Sequence, residues 1–528
     1  MESATLTAQL MLQEVPQKFT EKFPDLSIEK QNKYFNKYLN AISKSLLKRL
    51  PFMNDGYTYI SLKRLLDESG EFNYKKKRYY IYNEFKDLYA FYYVVDKGSN
   101  LKYSKNTFEK NSKVKLMNHR HIDMLIDSND TNELVTMFYG DLTPEKLDEL
   151  LVVDVDMTSL NNFIGHCKVS LNDTTKSEDY TNKIRKNYYQ ARYVKIISEF
   201  FYSVYDKYCL PMIAEKSDYG RIYYKGINIQ NMGEEVRRAV IGDCHQYDLS
   251  AAVYAIKLML AKDVLNDQGI SHIGQFTYTK DYIDRKKAIR KELVDNCMTT
   301  TKASYKEKSK YVKQALTAIG FGAKLTGNSW LVDNEWQNSA INEIIKNKTD
   351  REQFINNDFV KNFIKEQSDM TKLIVNHHLK DEEFLNKITK IKSIINNNGR
   401  IRKNQVMVYM FQHIETMIME TIKDLAGTNV YLVHDAMISK EKITNDNLLS
   451  IKLALQNIGE DLSIEYEYKT KWTSVDPDRL DDDDPRDIYV RKQIEQNSKI
   501  KKFDVEGNYN SYESTTQYQQ LEEEDYYE

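Results

Sequence analysis

Two acidic residues that lie far apart in the chain could together hold metal ions. Asp435 follows His434 within residues 430–438, an apolar run that breaks at the acid and then resumes, which predicts a β-hairpin presenting one carboxylate. Asp248 ends a short strand-like segment and precedes an apolar helical run. Two such carboxylates suit a pair of Mg²⁺ ions, because Mg²⁺ prefers hard oxygen ligands and completes its shell with phosphates and water. Taken singly, Asp435 could also occupy a surface turn and Asp248 a helix N-cap.

A third segment, residues 302–322, has a helical pattern with two different faces. At 100° per residue, one stripe carries Lys306, Lys310, Lys313, Thr317 and Phe321. The opposite face carries Val312, Ala315, Leu316 and Ile319. The apolar face is predicted to pack on the core, and the lysines form either a solvated face or a site for a triphosphate. The stripe ends at Phe321 between two glycines, where an aromatic ring could stack on a base.

A polar segment precedes Asp248. It contains Arg221, Gln230, Asn231 and the pair Arg237-Arg238, interleaved with apolar residues. Amides and arginines in this setting suit contact with a nucleic-acid backbone and with groove edges. A loop held together by its own hydrogen bonds would give the same pattern.

In chain order these four segments resemble the A-family polymerase superfamily, which comprises the bacterial polymerase I class of DNA polymerases and the single-subunit phage and mitochondrial RNA polymerases. The resemblance covers roughly residues 215–440. The motifs that carry it are the segment of Arg221 and Asn228-Ile229-Gln230-Asn231 before motif A, Asp248-Leu249-Ser250 as motif A, Lys313 followed by Phe321-Gly322 as motif B, and His434-Asp435 as motif C.

The resemblance implies an α+β fold that is mostly helical, a right hand of palm, fingers and thumb with a small antiparallel palm sheet. It also implies roles for single residues. Two Mg²⁺ ions would be bound by Asp248, the Leu249 carbonyl and Asp435. The incoming nucleotide would meet Lys313, Lys310, Phe321 and Val253, and the DNA primer-template would meet Arg221, Gln230, Asn231 and His434. The implied reaction is in-line attack of a primer 3′-hydroxyl on the α-phosphate of a nucleoside triphosphate, with Asp248, Asp435 and Lys313 as its catalytic residues.

Four positions depart from the family pattern and bear on the choice of sugar. Val253 stands where the DNA enzymes have a glutamate that excludes the ribose 2′-hydroxyl, and Ala436 replaces the glutamate of His-Asp-Glu. Ser309 replaces the first arginine of motif B, so Lys310 or Lys306 must supply its charge. Phe321 replaces the usual tyrosine before the glycine.

The spacing of the motifs favours the DNA-polymerase branch. Only 27 positions separate Arg221 from Asp248, and 114 separate Phe321 from Asp435, intervals that are much longer in the RNA-polymerase branch. A bulky apolar Val253 could still exclude a 2′-hydroxyl. We therefore predict a DNA-directed DNA polymerase of a phage or mobile element. A single-subunit RNA polymerase or primase is the alternative, and a non-catalytic nucleic-acid-binding protein is the rival from another class.

A proofreading exonuclease is not predicted. Residues 151–160 resemble the first motif of a 3′–5′ exonuclease, with Asp156 where glutamate is usual. Too few residues separate this segment from Asp218 for the remaining acids and their fold. We interpret the segment as a buried strand with its acids at one edge.

Length and composition indicate a multi-subdomain enzyme. The chain has 528 residues, of which 41% are hydrophobic, and four scattered cysteines that favour neither disulfides nor a zinc site. We predict an N-terminal domain of unclear role (1–150), a helical thumb-like region (151–215), a palm and fingers core (216–475) and an acidic disordered tail (476–528). With neither a leader nor a membrane span visible, we expect a cytoplasmic protein without membrane contact.

The acidic tail hides a basic body. Residues 476–528 hold 16 acids and 7 bases, a net charge of −9, so the net chain charge of −2 leaves +7 for the first 475 residues. A basic body suits nucleic acid. The tail either aids solubility, occupies the basic channel, or docks on an accessory replication protein.

The remaining patterns predict local structure. Aromatic residues around Tyr82 and Phe85 follow a lysine-rich run and are interpreted as core rather than as a single-strand binding surface. Residues 177–215 are predicted to be helical, as are two packing segments at 385–395 and 408–418. His413 and Glu415 are interpreted as satisfied polar positions on a helix surface, and His119 and His121 as surface histidines.

Overall fold

The structure is a computed structural model. It describes residues 15–53, 56–86, 92–96, 112–116, 122–123, 126, 131–173, 175–323, 330–332, 335–337, 339–391, 393–395 and 399–473. These residues are mostly helical with small antiparallel sheets, which confirms the predicted α+β class. The acidic tail, His119 and His121 lie outside the described residues.

The elements are numbered in chain order. The helices are α1 (Gln17–Lys22), α2 (Ile28–Arg49), α3 (Leu62–Ser69), α4 (Ile81–Phe85), α5 (Thr131–Tyr139), α6 (Pro144–Asp148), α7 (Met157–Asn172), α8 (Glu178–Tyr205), α9 (Glu234–Ile241), α10 (Ala252–Asp267), α11 (Thr277–Cys297), α12 (Tyr305–Gly320), α13 (Ala340–Ile344), α14 (Lys348–Asn356), α15 (Asp358–His378), α16 (Glu382–Ile388), α17 (Lys403–Leu425) and α18 (Asn445–Ile458). The strands are β1 (Tyr57–Ile60), β2 (Glu71–Tyr74), β3 (Lys77–Tyr80), β4 (Tyr92–Asp96), β5 (Ser112–Leu116), β6 (Leu151–Asp154), β7 (Cys209–Met212), β8 (Ala214–Lys216), β9 (Ile222–Tyr224), β10 (Cys244–Leu249), β11 (Trp330–Val332), β12 (Glu335–Gln337), β13 (Val430–Val433), β14 (Ala436–Ser439) and β15 (Ile464–Lys469).

The chain divides into two compact units that are interleaved in sequence. The first comprises residues 1–129, 156–196 and 471–528, and the second comprises residues 130–155 and 197–470. In the first unit, the rings of Phe19 and Phe85 stack with centroids 4.3 Å apart, and the ring of Phe23 meets that of Phe72 edge-on. Tyr82 and Phe85 are buried, which confirms that these two aromatic residues belong to a core.

The second unit is organised around a four-stranded antiparallel sheet in the order β13-β14-β10-β15. The strand β10 leads directly into α10, which is buried along most of its length. A helix that is apolar on all sides must be enclosed by other elements. Here α15 and α17 pack against α10 and share one apolar core with it and the sheet.

The helical predictions are confirmed except at two segments. The helix α17 includes the predicted range 408–418, and α8 occupies most of the predicted range 177–215. The end of that range is wrong, because α8 ends at Tyr205 and the strands β7 and β8 follow. The predicted helix at 385–395 is wrong, because α16 ends at Ile388 and an isolated bridge joins Ile395 to Ile401. Three asparagines and a glycine between these two isoleucines favour a turn over a helix. Ile391 and Ile394 are nevertheless buried. The apolar pattern therefore predicted correctly that these residues belong to the core, but not their secondary structure.

The segment with the exonuclease-like acids is not one buried strand. The strand β6 ends at Asp154, and its first residue, Leu151, is 37% exposed. The side chain of Asp156 caps α7, where its carboxylate accepts a hydrogen bond of 2.9 Å from the Ser159 N–H. Asp156 therefore has a local structural role that the sequence pattern did not reveal.

Two further expectations can be compared with the structure. All four cysteines are free, in agreement with their scattered positions, and all four are buried, which was not predicted. None of the helices in the described ranges combines the length and the apolarity that crossing a bilayer requires.

Candidate active site

The hairpin predicted around Asp435 is present. The strands β13 and β14 pair with Val433 opposite Ala436, so His434 and Asp435 form a two-residue turn. His434 has a φ of +57°, which few residues other than glycine adopt. The side chain of Asp435 is exposed at this turn, whereas the strands on either side are largely buried.

The second acid lies on the neighbouring strand. Asp248 is the fifth residue of β10 and stands opposite Ala436 on β14, one residue beyond Asp435. The Leu249 N–H donates a hydrogen bond of 2.8 Å to the carbonyl of Asp435. Acids separated by almost two hundred residues are therefore side by side in the sheet. Asp248 is not a helix N-cap, because Ala251 holds that position before α10.

Neither carboxylate of this pair has a cation bonded to it. Among the described residues, neither Asp248 nor Asp435 forms an ion pair within 4.0 Å. Burial raises the pKa of Asp248, and the negative charge of Asp435 raises it further. The Gln246 amide opposes this by donating to both oxygens of Asp248, at 3.0 and 2.9 Å. The pair thus concentrates negative charge that a divalent cation would neutralise.

The two glutamates of β15, the edge strand next to β10, are bonded to lysines. Glu465 stands opposite Asp248 on β15 and binds Lys286, whose Nζ lies 2.6 Å from the carboxylate and 3.0 Å from the Ser250 hydroxyl. Glu467, two residues further, forms an ion pair with Lys469. Of the carboxylates on this part of the sheet, Asp248 and Asp435 are therefore the ones that remain available for a metal.

This donor set fits Mg²⁺ bound mainly through substrate. The part of the chain that the structure describes contains no cluster of three or more His, Cys, Asp or Glu suited to hold a metal. Mg²⁺ in phosphoryl-transfer sites is commonly held by one or two carboxylates, with substrate phosphates and water as the other ligands. Asp248 and Asp435 would provide the carboxylates. The contribution of the Leu249 carbonyl stays a prediction.

A cation that was not singled out as a site residue lies near the acids. Arg237 on α9 donates from Nε to the Ile229 carbonyl at 2.9 Å. Burial lowers its pKa, and the charges of Glu234, Asp248 and Asp435 act in the opposite direction. Arg237 therefore adds a fixed positive charge to the electrostatic field of the two acids. The signal in the sequence was an arginine on the inner face of an amphipathic helix.

The helix with the lysine stripe has the predicted faces. Val312, Ala315, Leu316 and Ile319 are buried, whereas Lys306, Lys310 and Lys313 are exposed. Within the described residues these three lysines form no ion pair, so their charges remain free to meet a ligand. The helix begins with a capping box between Ser304 and Glu307, which fixes its first turn.

The end of α12 brings Phe321 and Val253 into one apolar region. Phe321 is half-buried and its ring meets Phe411 edge-on, with centroids 5.4 Å apart. Val253 is also half-buried, and a Cβ atom built on Gly320 would lie 3.0 Å from its Cγ1. Both residues pack against the same core cluster. The predicted stacking residue and the predicted sugar-gate residue are thus brought close to the same helix end.

The polar segment before Asp248 is held by internal hydrogen bonds. The Gln230 amide donates to the Ile222 carbonyl at 3.2 Å and to the Leu432 carbonyl at 3.4 Å, which ties the loop to β13. The Asn231 amide donates to the Gly226 carbonyl at 2.7 Å. The hydrogen-bonded loop, the alternative to a nucleic-acid contact, is therefore present, and contact of these two residues with nucleic acid stays a prediction.

Arg221 has a buried partner that the sequence did not indicate. It forms an ion pair with Glu415 of α17, whose side chain is only 3% exposed. The interpretation of Glu415 as a polar residue on a helix surface is wrong, because Glu415 is buried with Arg221 as its partner, whereas His413 is exposed. Burial raises the pKa of Glu415 to about 7, although Arg221 acts to lower it.

Three buried polar atoms of the second unit, one of them on Arg221 itself, lack a partner in the described part of the chain. Within the described residues, the Nε of Arg221, the Nδ1 of His434 and the Oε1 of Gln412 accept or donate no hydrogen bond. Burial, together with the positive charge of Arg221, lowers the pKa of His434, so its ring is neutral at pH 7. Buried polar groups without partners are rare and mark places where a ligand could complete the hydrogen bonding.

Replacing Glu415 by Gln should flatten the dependence of stability on pH. The raised pKa means that the folded protein holds this proton up to about pH 7, while the unfolded chain releases it near 4.5. The resulting stability is present below pH 4.5 and is lost as the pH rises through 7, by about 3 kcal/mol at most. Urea unfolding at pH 5.5 and 8 should show a smaller difference in E415Q than in the wild type. Glu420→Gln, at an exposed position of the same helix, is the control, and equal pH differences in all three proteins would contradict the assignment.

Comparisons with known proteins identify no family for this chain. A scan against protein-family models gave no match, and a search of curated proteins gave none either.

Proposed function

We propose that the chain is a template-directed, Mg²⁺-dependent nucleotidyltransferase, and that it is a DNA polymerase without proofreading. The observation that carries this proposal is the pair of unneutralised carboxylates, Asp248 on β10 and Asp435 in the turn between β13 and β14, which one antiparallel sheet brings together. Two-metal phosphoryl transfer needs metal-binding carboxylates that lie close to one another. A lysine-faced helix and a set of unpartnered polar atoms in the same compact unit support it further.

In this proposal the four-stranded sheet is the palm, and the helices between Asp248 and Asp435 are the fingers. The helical region at 151–215, which includes α8, would supply a thumb. The chain order of the elements supports this assignment, because the strand of Asp248 comes first, the long helices follow, and the hairpin of Asp435 then pairs with that strand.

The residues would divide the reaction between them. Asp248, oriented by Gln246, and Asp435 would hold two Mg²⁺ ions, which when bound lower the pKa of the primer 3′-hydroxyl and stabilise the leaving pyrophosphate. Lys313, with Lys310 one turn before it, would neutralise the triphosphate. The Arg221 and His434 side chains would complete their hydrogen bonds on the primer-template.

The experiment that tests this function is primer extension with Mg²⁺ on a primed DNA template. Deoxynucleotides and ribonucleotides are supplied in separate reactions, and a third reaction omits the primer. We expect extension with deoxynucleotides on primed template alone. Incorporation of ribonucleotides would assign the protein to the RNA-polymerase branch, and synthesis without a primer would indicate a primase. Template binding without any incorporation would favour the non-catalytic binding protein.

Replacing Val253 by Ala should relax the choice of sugar. Val253 lies beside the end of α12, where its methyl groups would fill the space of a ribose 2′-hydroxyl. Removing two methyl groups should raise ribonucleotide use relative to deoxynucleotide use about tenfold or more, as measured by the ratio of the two kcat/KM values. Val264→Ala, a buried position further along the same helix, is the control for lost packing. An unchanged ratio in V253A would remove Val253 from the sugar site.

The acidic tail, residues 476–528, could bind the basic channel or an accessory replication protein, and it lies outside the described residues. Binding of primer-template at several salt concentrations, with and without residues 476–528, is the measurement that tests channel occupancy by the tail. Stronger, more salt-dependent binding after deletion is the expected result.

A further inference from the structure

The turn after α12 is held by side chains from two other helices. The carbonyl of Gly320 accepts a hydrogen bond of 3.1 Å from the Nζ of Lys257 on α10. The carbonyl of Gly322 accepts one of 3.2 Å from the Nδ2 of Asn404 on α17. The two carbonyls stand on either side of Phe321, so each flank of this residue is bonded to a different helix.

Lys257 is an unusual residue to find at this place. Its side chain is only 2% exposed, and its ammonium group also donates to the carbonyl and the Oε1 of Gln367 on α15, at 2.9 and 3.1 Å. All three acceptors are uncharged, and burial lowers the pKa of Lys257 to about 7. Burying a lysine is costly unless every N–H is bonded, and here three protons meet three acceptors. An apolar residue would fill this core position at a lower cost in desolvation free energy. The three hydrogen bonds of Lys257 therefore indicate a specific role for this residue.

The glycines of the turn allow these bonds to form. Gly322 has a φ of +80°, and a Cβ atom on it would lie 2.4 Å from the Asn404 Nδ2. A Cβ atom on Gly320 would lie 3.0 Å from both Val253 and Tyr254. The close approach of α10 and α17 to the turn therefore depends on glycine at both flanks of Phe321.

We propose that Lys257 and Asn404 are positioning residues that clamp the turn around Phe321 and so set the place of its ring for the incoming nucleotide. This inference rests on the proposed polymerase function. Without the clamp, the last turn of α12 opens more often and the ring loses its fixed position. Nucleotide binding would weaken, while the two metal-binding acids and the primer-template contacts are untouched.

The experiment compares Lys257→Met and Asn404→Ala with Lys262→Met, in the full-length protein. Lys262 lies on the same helix as Lys257 but pairs with Asp461 at 2.5 Å, away from the turn. Amide hydrogen exchange is measured for residues 317–323, where the N–H groups of Phe321, Gly322 and Ala323 bond to Thr317, Ile319 and Ala318. The KM for deoxynucleotide and the kcat are measured in the same preparations.

The clamp predicts that these amides exchange about tenfold faster in K257M and in N404A, and at the wild-type rate in K262M. It also predicts a nucleotide KM raised about tenfold, with kcat changed much less. Because Asn404 is exposed, N404A should fold even if K257M does not. Unchanged exchange in N404A and in folded K257M would overturn the clamp. If the amides exchange faster in K257M and N404A, but neither the variants nor the wild type incorporate nucleotide, the clamp is supported and the polymerase function is refuted.

Discussion

Replacing Asp435 by Asn, or Asp248 by Asn, should abolish nucleotide incorporation while primer-template binding remains nearly unchanged. The amide keeps the size of the carboxylate but removes the charge that holds a divalent cation. Loss of a metal ligand in two-metal phosphoryl transfer should lower kcat by about a thousandfold or more. Primer extension at saturating Mg²⁺ and a filter-binding assay on the same template measure the two effects.

The stability of these variants provides an internal check. Because burial and Asp435 disfavour the charged form of Asp248, D248N should unfold at the same temperature as the wild type or at a higher one. Lost activity then cannot be attributed to unfolding. Asp446→Asn, at an exposed position in the first turn of α18, is the matched control. A double variant, D248N with D435N, that still extends primers would show that the acids are structural.

Replacing Lys313 by Ala should lower kcat/KM for nucleotide about a hundredfold or more. Lys313 is exposed on the face of α12 opposite the core and has no carboxylate bonded to it in the described part of the chain, so its charge would go to the triphosphate. Removing one donor aimed at developing charge typically costs two to three orders of magnitude. The measurement is single-turnover incorporation as a function of nucleotide concentration, at low and high salt.

Lys308→Ala is the control for this variant. Lys308 lies on the same helix but five residues before Lys313, about 140° around the axis from it. K308A should therefore change kcat/KM much less than K313A. If both variants lose activity equally, the stripe acts only through general attraction of anions, and the assignment of Lys313 to the triphosphate fails.

The parts of the site that the sequence predicted are those encoded by local patterns. An apolar run interrupted by an acid is enough to predict the hairpin of Asp435. The periodicity of α12 is enough to separate its buried face from its lysines. In both cases the relevant neighbours lie within a few residues, so the period of the pattern determines which way each side chain points.

The parts that the sequence did not predict depend on pairing across long distances. Nothing in the residues near Glu465 indicates that it will stand opposite Asp248 and bind Lys286. Glu415 has the sequence pattern of a surface residue, because polar residues in helices are usually exposed, yet it is buried with Arg221, a residue almost two hundred positions away, as its partner. Lys257 lies within an apolar run, and the sequence around it does not indicate its three hydrogen-bond acceptors, which all come from other helices.

The four-stranded sheet of the second unit can form only late during synthesis on the ribosome. The strand β10 is central, yet the strands that flank it are synthesised much later, β14 about 190 residues and β15 about 215 residues after β10 ends. Until β14 and β15 emerge, β10 has no strand to pair with. The apolar surface of α10 that packs against α17 and the sheet also stays exposed until then. Pairing over such separations is slow, and exposed apolar surface invites aggregation. We therefore expect the nascent chain to need protection by chaperones until its last strand leaves the exit tunnel. The two acids of the proposed metal site can come together only after the hairpin of Asp435 has emerged.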